Sequence, residues 1–327
     1  MTDTIAFQTI DKQLNFNTSV FPSVIQNPEK NASLDESILW LKSHLAQIET
    51  ELESSGAVLF RGFAMNSAET FDAFSAAFGY KSFTYQESFS NAVRINFTER
   101  VFTANEAPKD VEIYLHHEMA QTPISPDKLF FFCKTAADHG GATPICRSDK
   151  LYEALKKAAP ELAQDFLNKG VKYTTYMPYE DNHESGQGRS WKSTLSVNNK
   201  AEAEARLIEL GYNWEWMADD SLKAITPVLP AVRKLENGVY TFYNQLIAAY
   251  LGWKGVKDDP SVAITFGDHS HITAEALQLI VKLSKQFTFD LEWQDSDMVL
   301  IDNKMAMHGR RSYSGERKRQ VLVALAS

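Results

Sequence analysis

The sequence predicts an α+β chain, mainly antiparallel β, in which sheets pack as a sandwich and helices lie outside it. Three observations carry this reading. Short apolar runs bounded by turn residues dominate, among them 57–63, 129–134, 298–302 and 320–325. Helical periodicity is confined to a few stretches that do not alternate with strands as βαβ units require. No internal repeat, low-complexity tract or linker interrupts the chain, so residues 1–327 read as one domain, with 1–32 an extended N-terminal arm.

In chain order, Leu34, Ile38, Leu41, Leu45 and Ile48 recur at steps of three and four, which predicts a helix over 33–53 capped by Ser33. A buried strand follows at 57–63. A second helix is expected over 67–78, with Asn66 and Glu69 as its capping pair. Strands are expected at 92–97, 111–116, 129–134 and 142–146, the last two split by a Gly140-Gly141 turn. A helix over 148–168 should restart at Pro160, because proline is tolerated in a first turn. Then come an extended stretch at 171–177 and a polar loop at 180–193, read as a lid over a site through His183, Arg189 and Trp191. A helix at 199–210 is stopped by Gly211, and short strands are expected at 213–217, 226–234 and 239–243. Helix 273–286 and strands 298–302 and 320–325 complete the chain.

Composition narrows the function classes. A net charge of −9 gives no basic face for phosphate backbones, which argues against nucleic acid as partner. No apolar run reaches the ~20 residues that span a bilayer, and the N-terminal stretch lacks the charge and apolar core of a signal peptide. The two cysteines, Cys133 and Cys146, sit in apolar contexts and read as core residues of a reducing, cytoplasmic compartment. No Gly-x-Ser-x-Gly, P-loop or dinucleotide fingerprint is present, which removes the main support for serine hydrolase, NTPase and dehydrogenase readings.

The stretch 114–119 carries the chemistry. Alternate residues of a strand share a face, so His116 and Glu118 present an imidazole and a carboxylate together. That is two thirds of a facial metal site. With eight histidines and this acid content, about one such pair arises by chance, so the pair alone decides little. His117 alternates away from it and reads as a packed or exposed histidine. His308, placed between two strands and followed by glycine, is a candidate third ligand. Beyond it Arg310, Arg311, Arg317 and Arg319 offer guanidinium forks for a carboxylate, although a solvated basic turn is the plainer reading of their spacing. Asp268, His269 and His271 form a rival cluster in a loop without an anion clamp, and His269 is a second candidate to line the main site.

These pieces occur in a recognisable order: Thr103-x-x-Glu106-x-Pro108, Leu115-His-His-Glu-Met119, Gly140-Gly-Ala-Thr143-Pro, Phe242-Tyr-Asn-Gln245, Phe266-Gly-Asp-His-Ser270, Trp293-Gln294, and Asp302-Asn303 followed by His308-Gly-Arg310, Tyr313 and Gly315-x-Arg317. Over roughly 54–326 the chain resembles the taurine dioxygenase/clavaminate synthase-like branch of the Fe(II)- and 2-oxoglutarate-dependent oxygenases, and within it the syringomycin hydroxylase-like group. The resemblance implies a double-stranded β-helix, or jelly roll, with flanking helices. It implies iron held by His116, Glu118 and His308, with Thr143 bonding a 2-oxoglutarate carboxylate. Its clamping arginine falls on Arg317 by the Gly-x-Arg pattern, with Arg319 as alternative because the chain is short between His308 and this point. Arg189, Arg310 and Asn244 are the candidates for substrate contact.

The implied reaction uses O2 to decarboxylate 2-oxoglutarate to succinate and CO2 while a C–H bond of a small molecule is hydroxylated. An amino acid or amino-acid-derived metabolite is expected, free or tethered to a carrier protein. Desaturation, cyclisation or epoxidation would use the same centre, and a homo-oligomer stays open. A metal-dependent hydrolase and a non-catalytic metal-binding β-sandwich are the readings from other classes.

Overall fold

The computed structural model describes residues 5–17, 19–29, 31–84, 94–104, 107–181 and 189–327. Two sheets form its centre. The larger runs Ser23–Gln26, Ala57–Arg61, Met298–Asp302, Lys128–Thr135, Gln320–Ala326, Ser82–Phe83, with Phe102–Thr103 also on Gln320–Ala326. Its pairs are antiparallel except the first, in which Ser23–Gln26 runs parallel to Ala57–Arg61. The expected N-terminal arm thus contributes a sheet strand. The smaller sheet, fully antiparallel, runs Thr288–Leu291, Thr143–Arg147, Ala306–Arg310, Ile113–His116.

Strand alternation divides these sheets into layers. Phe130 and Phe132 turn outward with Val58, Phe60 and Leu300, and pack against Leu41, Ile48 and Leu52 of the helix Leu34–Ser55. Leu129, Phe131 and Cys133 turn inward and join Ile145, Phe289, Leu291 and Ala306 of the smaller sheet in one core. Both faces are buried, which explains why Leu129–Cys133 reads as an unbroken apolar run. Behind the smaller sheet, Leu115, Cys146 and Met307 pack on the helices Ser148–Ala158, Pro160–Lys169 and Ala274–Ser284. The result is an antiparallel sandwich between two helical layers. Burial pushes both cysteine thiols up to about 12, in keeping with core roles.

Local chemistry matches most expected elements. Ser33 caps the first long helix with a full capping box to Glu36. The second helix, Ala68–Ala76, is capped by Ser67 with Thr70, one residue later than expected. Within 226–234 the strand is only Arg233–Lys234, paired with Tyr240–Thr241, while Leu222–Ile225 pairs with Val171–Met177 in a separate sheet with Asn213–Trp216 and Ile264–Phe266. The expected lid at 180–193 lies partly outside the described residues, His183 included. Its C-terminal part forms the helix Trp191–Leu195, and Trp191 is buried among Met177, Leu207 and Tyr212 rather than offered to a ligand. No described helix is long and apolar enough to cross a membrane.

Candidate metal centre

His308 does not lie between strands, as expected, but inside Ala306–Arg310, directly opposite His116 on one side and Ile145 on the other. The neighbouring side chains Leu115, Met307 and Cys146 turn to the helical layer, so His116, His308 and Thr143 turn inward. Gly309 permits this approach. A Cβ there would stand 2.4 Å from the Ile113 carbonyl oxygen, closer than any side chain tolerates.

Ligand atoms of His116, Glu118 and His308 all fall within 4.8 Å of one another, and no other such group occurs among the described residues. Glu118 Oε2 lies 3.3 Å from His308 Nε2 and 3.8 Å from His116 Nε2. The two imidazole centroids are 4.3 Å apart, and the His308 ring meets Phe131 of the larger sheet at 4.9 Å. His116 Nδ1 donates to the Tyr114 carbonyl at 2.7 Å, which leaves Nε2 as the bare nitrogen facing Glu118. Burial pushes His308 down to about 4, aided by His116. Burial opposes ionisation of Glu118, but His116, His308 and Arg94 outweigh it and hold the carboxyl well below its usual range. Two neutral imidazoles and one carboxylate is the donor set a divalent iron takes, so the residues fit that ion.

Asn303 holds the turn that carries the carboxylate. Its Oδ1 accepts from the Glu118 backbone N–H at 2.7 Å, and its Nδ2 donates to the Glu118 and Pro126 carbonyls at 3.0 and 2.7 Å. Its own carbonyl accepts from His117 Nδ1, so His117 is a packed histidine, its ring tilted against Tyr243. Asn244, expected at the substrate, belongs to the same framework: it accepts from the His117 and Leu246 N–H groups and donates to the Ala231 carbonyl.

Around the triad a cavity is lined by Thr143, Phe131, Arg94, Arg310, Arg319 and Val321, among others. Thr143 Oγ1 accepts from Trp293 Nε1 at 3.0 Å, leaving its hydroxyl hydrogen to point elsewhere. Of the two arginines weighed for the clamp, Arg319 lines this cavity. Its Nε and Nη2 reach the Gly141 carbonyl at 3.1 and 3.0 Å, and burial with Arg310 nearby pushes its guanidinium down to about 10. A side chain at Gly141 would press on Arg319 Nε at 2.9 Å. Arg317 instead sits in the turn before the last strand, about half exposed, paired to Asp295 at 2.6 Å. The alternation Val321, Val323 extended backwards reaches position 319, a signal that the Gly-x-Arg pattern overrode.

The other expected contacts are differently placed. Arg310 lines the cavity, but its guanidinium donates to the carbonyls of Ala107, Pro108 and Val111 at 2.7–2.9 Å. Arg189 bonds Ser193 beside the helix Trp191–Leu195. His269 faces Lys172 on the surface at 2.8 Å and does not line the cavity. Arg94 carries no motif and was not foreseen. A larger cavity of about 210 Å3, lined by Thr174, Thr194, Tyr212 and Trp253, lacks any cluster of acids and imidazoles, so we place the chemistry at the smaller one.

The chain matches the taurine catabolism dioxygenase TauD, TfdA family over residues 19–325. It belongs to that family. It is 36% identical to a clavaminate synthase-like protein of Arabidopsis thaliana, covering 97% of this chain and 96% of that one. It is 27% identical to the dapdiamide synthesis protein DdaC of Enterobacter agglomerans, covering 93% and 90%. Among solved structures, AAD-2 in complex with Mn(II) and N-oxalylglycine superposes with a TM-score of 0.54 at 14% identity over 99% of this chain and 98% of that one, a likeness of fold. The protein is an Fe(II)- and 2-oxoglutarate-dependent dioxygenase that uses O2 on a small molecule.

Proposed function

We propose that this dioxygenase hydroxylates a C–H bond of an amino acid or amino-acid-derived metabolite, free or carrier-tethered, within a single jelly-roll domain. The observation that carries the site assignment is the shared cavity: the His116–Glu118–His308 triad, Thr143 and Arg319 line one space. His116, Glu118 and His308 would hold the metal, and three protein donors would leave it able to bind the cosubstrate and O2. Thr143 and Arg319 would receive the 2-oxoglutarate carboxylates, the planar guanidinium matching a carboxylate in fork geometry. When bound, Fe(II) with 2-oxoglutarate and O2 supplies the oxidation of an unactivated C–H bond, with succinate and CO2 as coproducts.

The chain's own residues supply orientation and exclusion of water. Phe131, Val321 and Val323 wall the cavity with apolar surface, and Asn303 keeps the Glu118 carboxylate turned into it. Glu118 fills the place that halogenating relatives leave to chloride, which disfavours halogenation. The amino-acid reading is supported by the likeness to DdaC, a dapdiamide synthesis protein. Mass spectrometry of free and carrier-bound amino acids incubated with enzyme, Fe(II), 2-oxoglutarate and O2 tests it. Gain of one oxygen with one succinate per product supports hydroxylation. Loss of two hydrogens would instead assign a desaturase or cyclase, and turnover restricted to compounds unrelated to amino acids would refute the substrate class.

A further inference from the structure

We propose that Trp293 is a positioning residue for the cosubstrate. Its indole N–H fills an acceptor site of the Thr143 hydroxyl and commits that hydroxyl to donate into the metal cavity, a role that rests on the cosubstrate seat at Thr143 and Arg319.

The smaller sheet brings the two residues together. Thr143 opens the strand Thr143–Arg147 and pairs with Leu291, the last residue of Thr288–Leu291. Two residues further on, Trp293 packs against the inward core that holds Leu291, Phe289 and Phe131. That packing fixes the ring, and its Nε1 reaches Thr143 Oγ1 at 3.0 Å.

The chemistry of the two groups sets the direction of this bond. An indole nitrogen donates and cannot accept, whereas a threonine hydroxyl has one hydrogen and two lone pairs. The N–H therefore donates and the oxygen accepts. Thr143 is 3% exposed, and among the described residues its oxygen has no second partner. Its hydrogen thus finds no acceptor in the protein, and a buried donor left without one costs free energy. The space left to it is the cavity that Thr143 lines together with His116, Glu118, His308 and Arg319. A carboxylate oxygen of the cosubstrate supplies the missing acceptor. Accepting from the indole also polarises the hydroxyl, which strengthens its own donation. The guanidinium of Arg319 has donors only, so with Trp293 in place both anchors of the seat present hydrogens to an ionised carboxylate. Without the indole, the Thr143 hydroxyl is free to turn its lone pairs towards that carboxylate and repel it.

Anaerobic calorimetry on the full chain loaded with Mn(II), titrated with N-oxalylglycine as a stand-in for 2-oxoglutarate, tests this without turnover. We expect Trp293→Phe to weaken N-oxalylglycine by about 3- to 10-fold and Thr143→Val by about 10- to 30-fold. In the Thr143→Val background, Trp293→Phe should cost less than about 2-fold more, because the indole acts through the hydroxyl that is already gone. Mn(II) affinity should be unchanged in all three variants, and thermal unfolding reports whether each is folded. If Trp293→Phe does not fold, 3-benzothienylalanine at position 293 keeps the bicyclic ring and removes only the N–H, and the same expectations apply to it. The proposal is overturned if the folded variant at 293 binds N-oxalylglycine as wild type does. It is also overturned if the loss persists undiminished in Thr143→Val, which a purely structural role would produce, or if Mn(II) affinity falls alongside. The underlying seat fails separately, if Thr143→Val itself leaves N-oxalylglycine affinity unchanged.

Discussion

The sheet sandwich and the stretch 177–225 solve different problems. In the sandwich, buried polar groups are joined across long sequence separations: Asn303 reaches Glu118 and Pro126, and His308 faces His116. In the segment, Trp191, Leu207, Tyr212 and Leu222 close a separate apolar cluster on a sheet of their own, with polar bonds such as Trp191 Nε1 to the Asp220 carbonyl staying inside it. The difference teaches that the metal centre depends on strand register, whereas the segment depends on local burial. Damage to one should leave the other standing.

The largest effect that separates them comes from the ligands. His116→Ala or His308→Ala should abolish tight Fe(II) binding and 2-oxoglutarate-dependent succinate release, with little change in the thermal transition; succinate formation near the wild-type rate would refute the ligand assignment. Trp191→Ala should do the reverse, costing about 3–5 kcal/mol of stability through lost burial while leaving metal affinity in the folded protein within a few-fold, as denaturant titration and metal binding can show.

Next, Arg319→Ala should raise the 2-oxoglutarate KM by about 100-fold, since a buried charged bond is lost, while Arg317→Ala should change it less than about 2-fold. The opposite ranking would restore the Gly-x-Arg assignment. Asn303→Ala should weaken Fe(II) by about 10- to 100-fold, in the range seen when groups that orient ligands are removed, and destabilise the fold by about 1–3 kcal/mol through unpaired carbonyls. Unchanged metal affinity would show that the Glu118 turn holds itself.

An effect that needs no substitution is a pH dependence of the metal-free protein. Burial pushes His117 down to about 3 and His308 to about 4, against an ordinary 6.5. Above pH 6.5 both states carry neutral rings and nothing changes. As pH falls from 6.5 towards 4 the unfolded chain takes up these protons and the folded chain does not, so stability drops by up to about 1.4 kcal/mol per pH unit for each ring. Denaturant unfolding across this window checks it, and saturating metal should raise stability without removing the slope, because the native rings take up no protons in either state.

Much of this was legible in the sequence, and the exceptions have physical causes. His116 and Glu118 were readable as a pair two apart, although only His116 lies on the strand Ile113–His116 and the turn after it, held by Asn303, presents Glu118; Leu129–Cys133 was readable because a strand buried on both sides must be apolar throughout. The strand around His308 was not readable. Met305-Ala-Met-His-Gly-Arg310 lacks β-branched residues, and it is extended because Thr143–Arg147 and Ile113–His116 pair with it on both sides. Arg319 was outranked by a motif, although the inward alternation of Val321 and Val323 pointed to it. Asn244 and Arg310 were visible as polar residues near the site, but only packing reveals that backbone groups engage them. Arg94 had no sequence signal, since a hairpin on the far edge of the larger sheet brings it in.

The most direct measurement is an anaerobic titration with Fe(II) and 2-oxoglutarate, followed by visible absorption, on wild type, His308→Ala, Arg319→Ala and Arg317→Ala. If strands far apart in sequence build one centre, wild type and Arg317→Ala develop a weak metal-to-ligand charge-transfer band at one equivalent of iron. His308→Ala should show none, and Arg319→Ala should need far more 2-oxoglutarate. A wild-type protein without the band, or a band that survives loss of His308, would contradict the account.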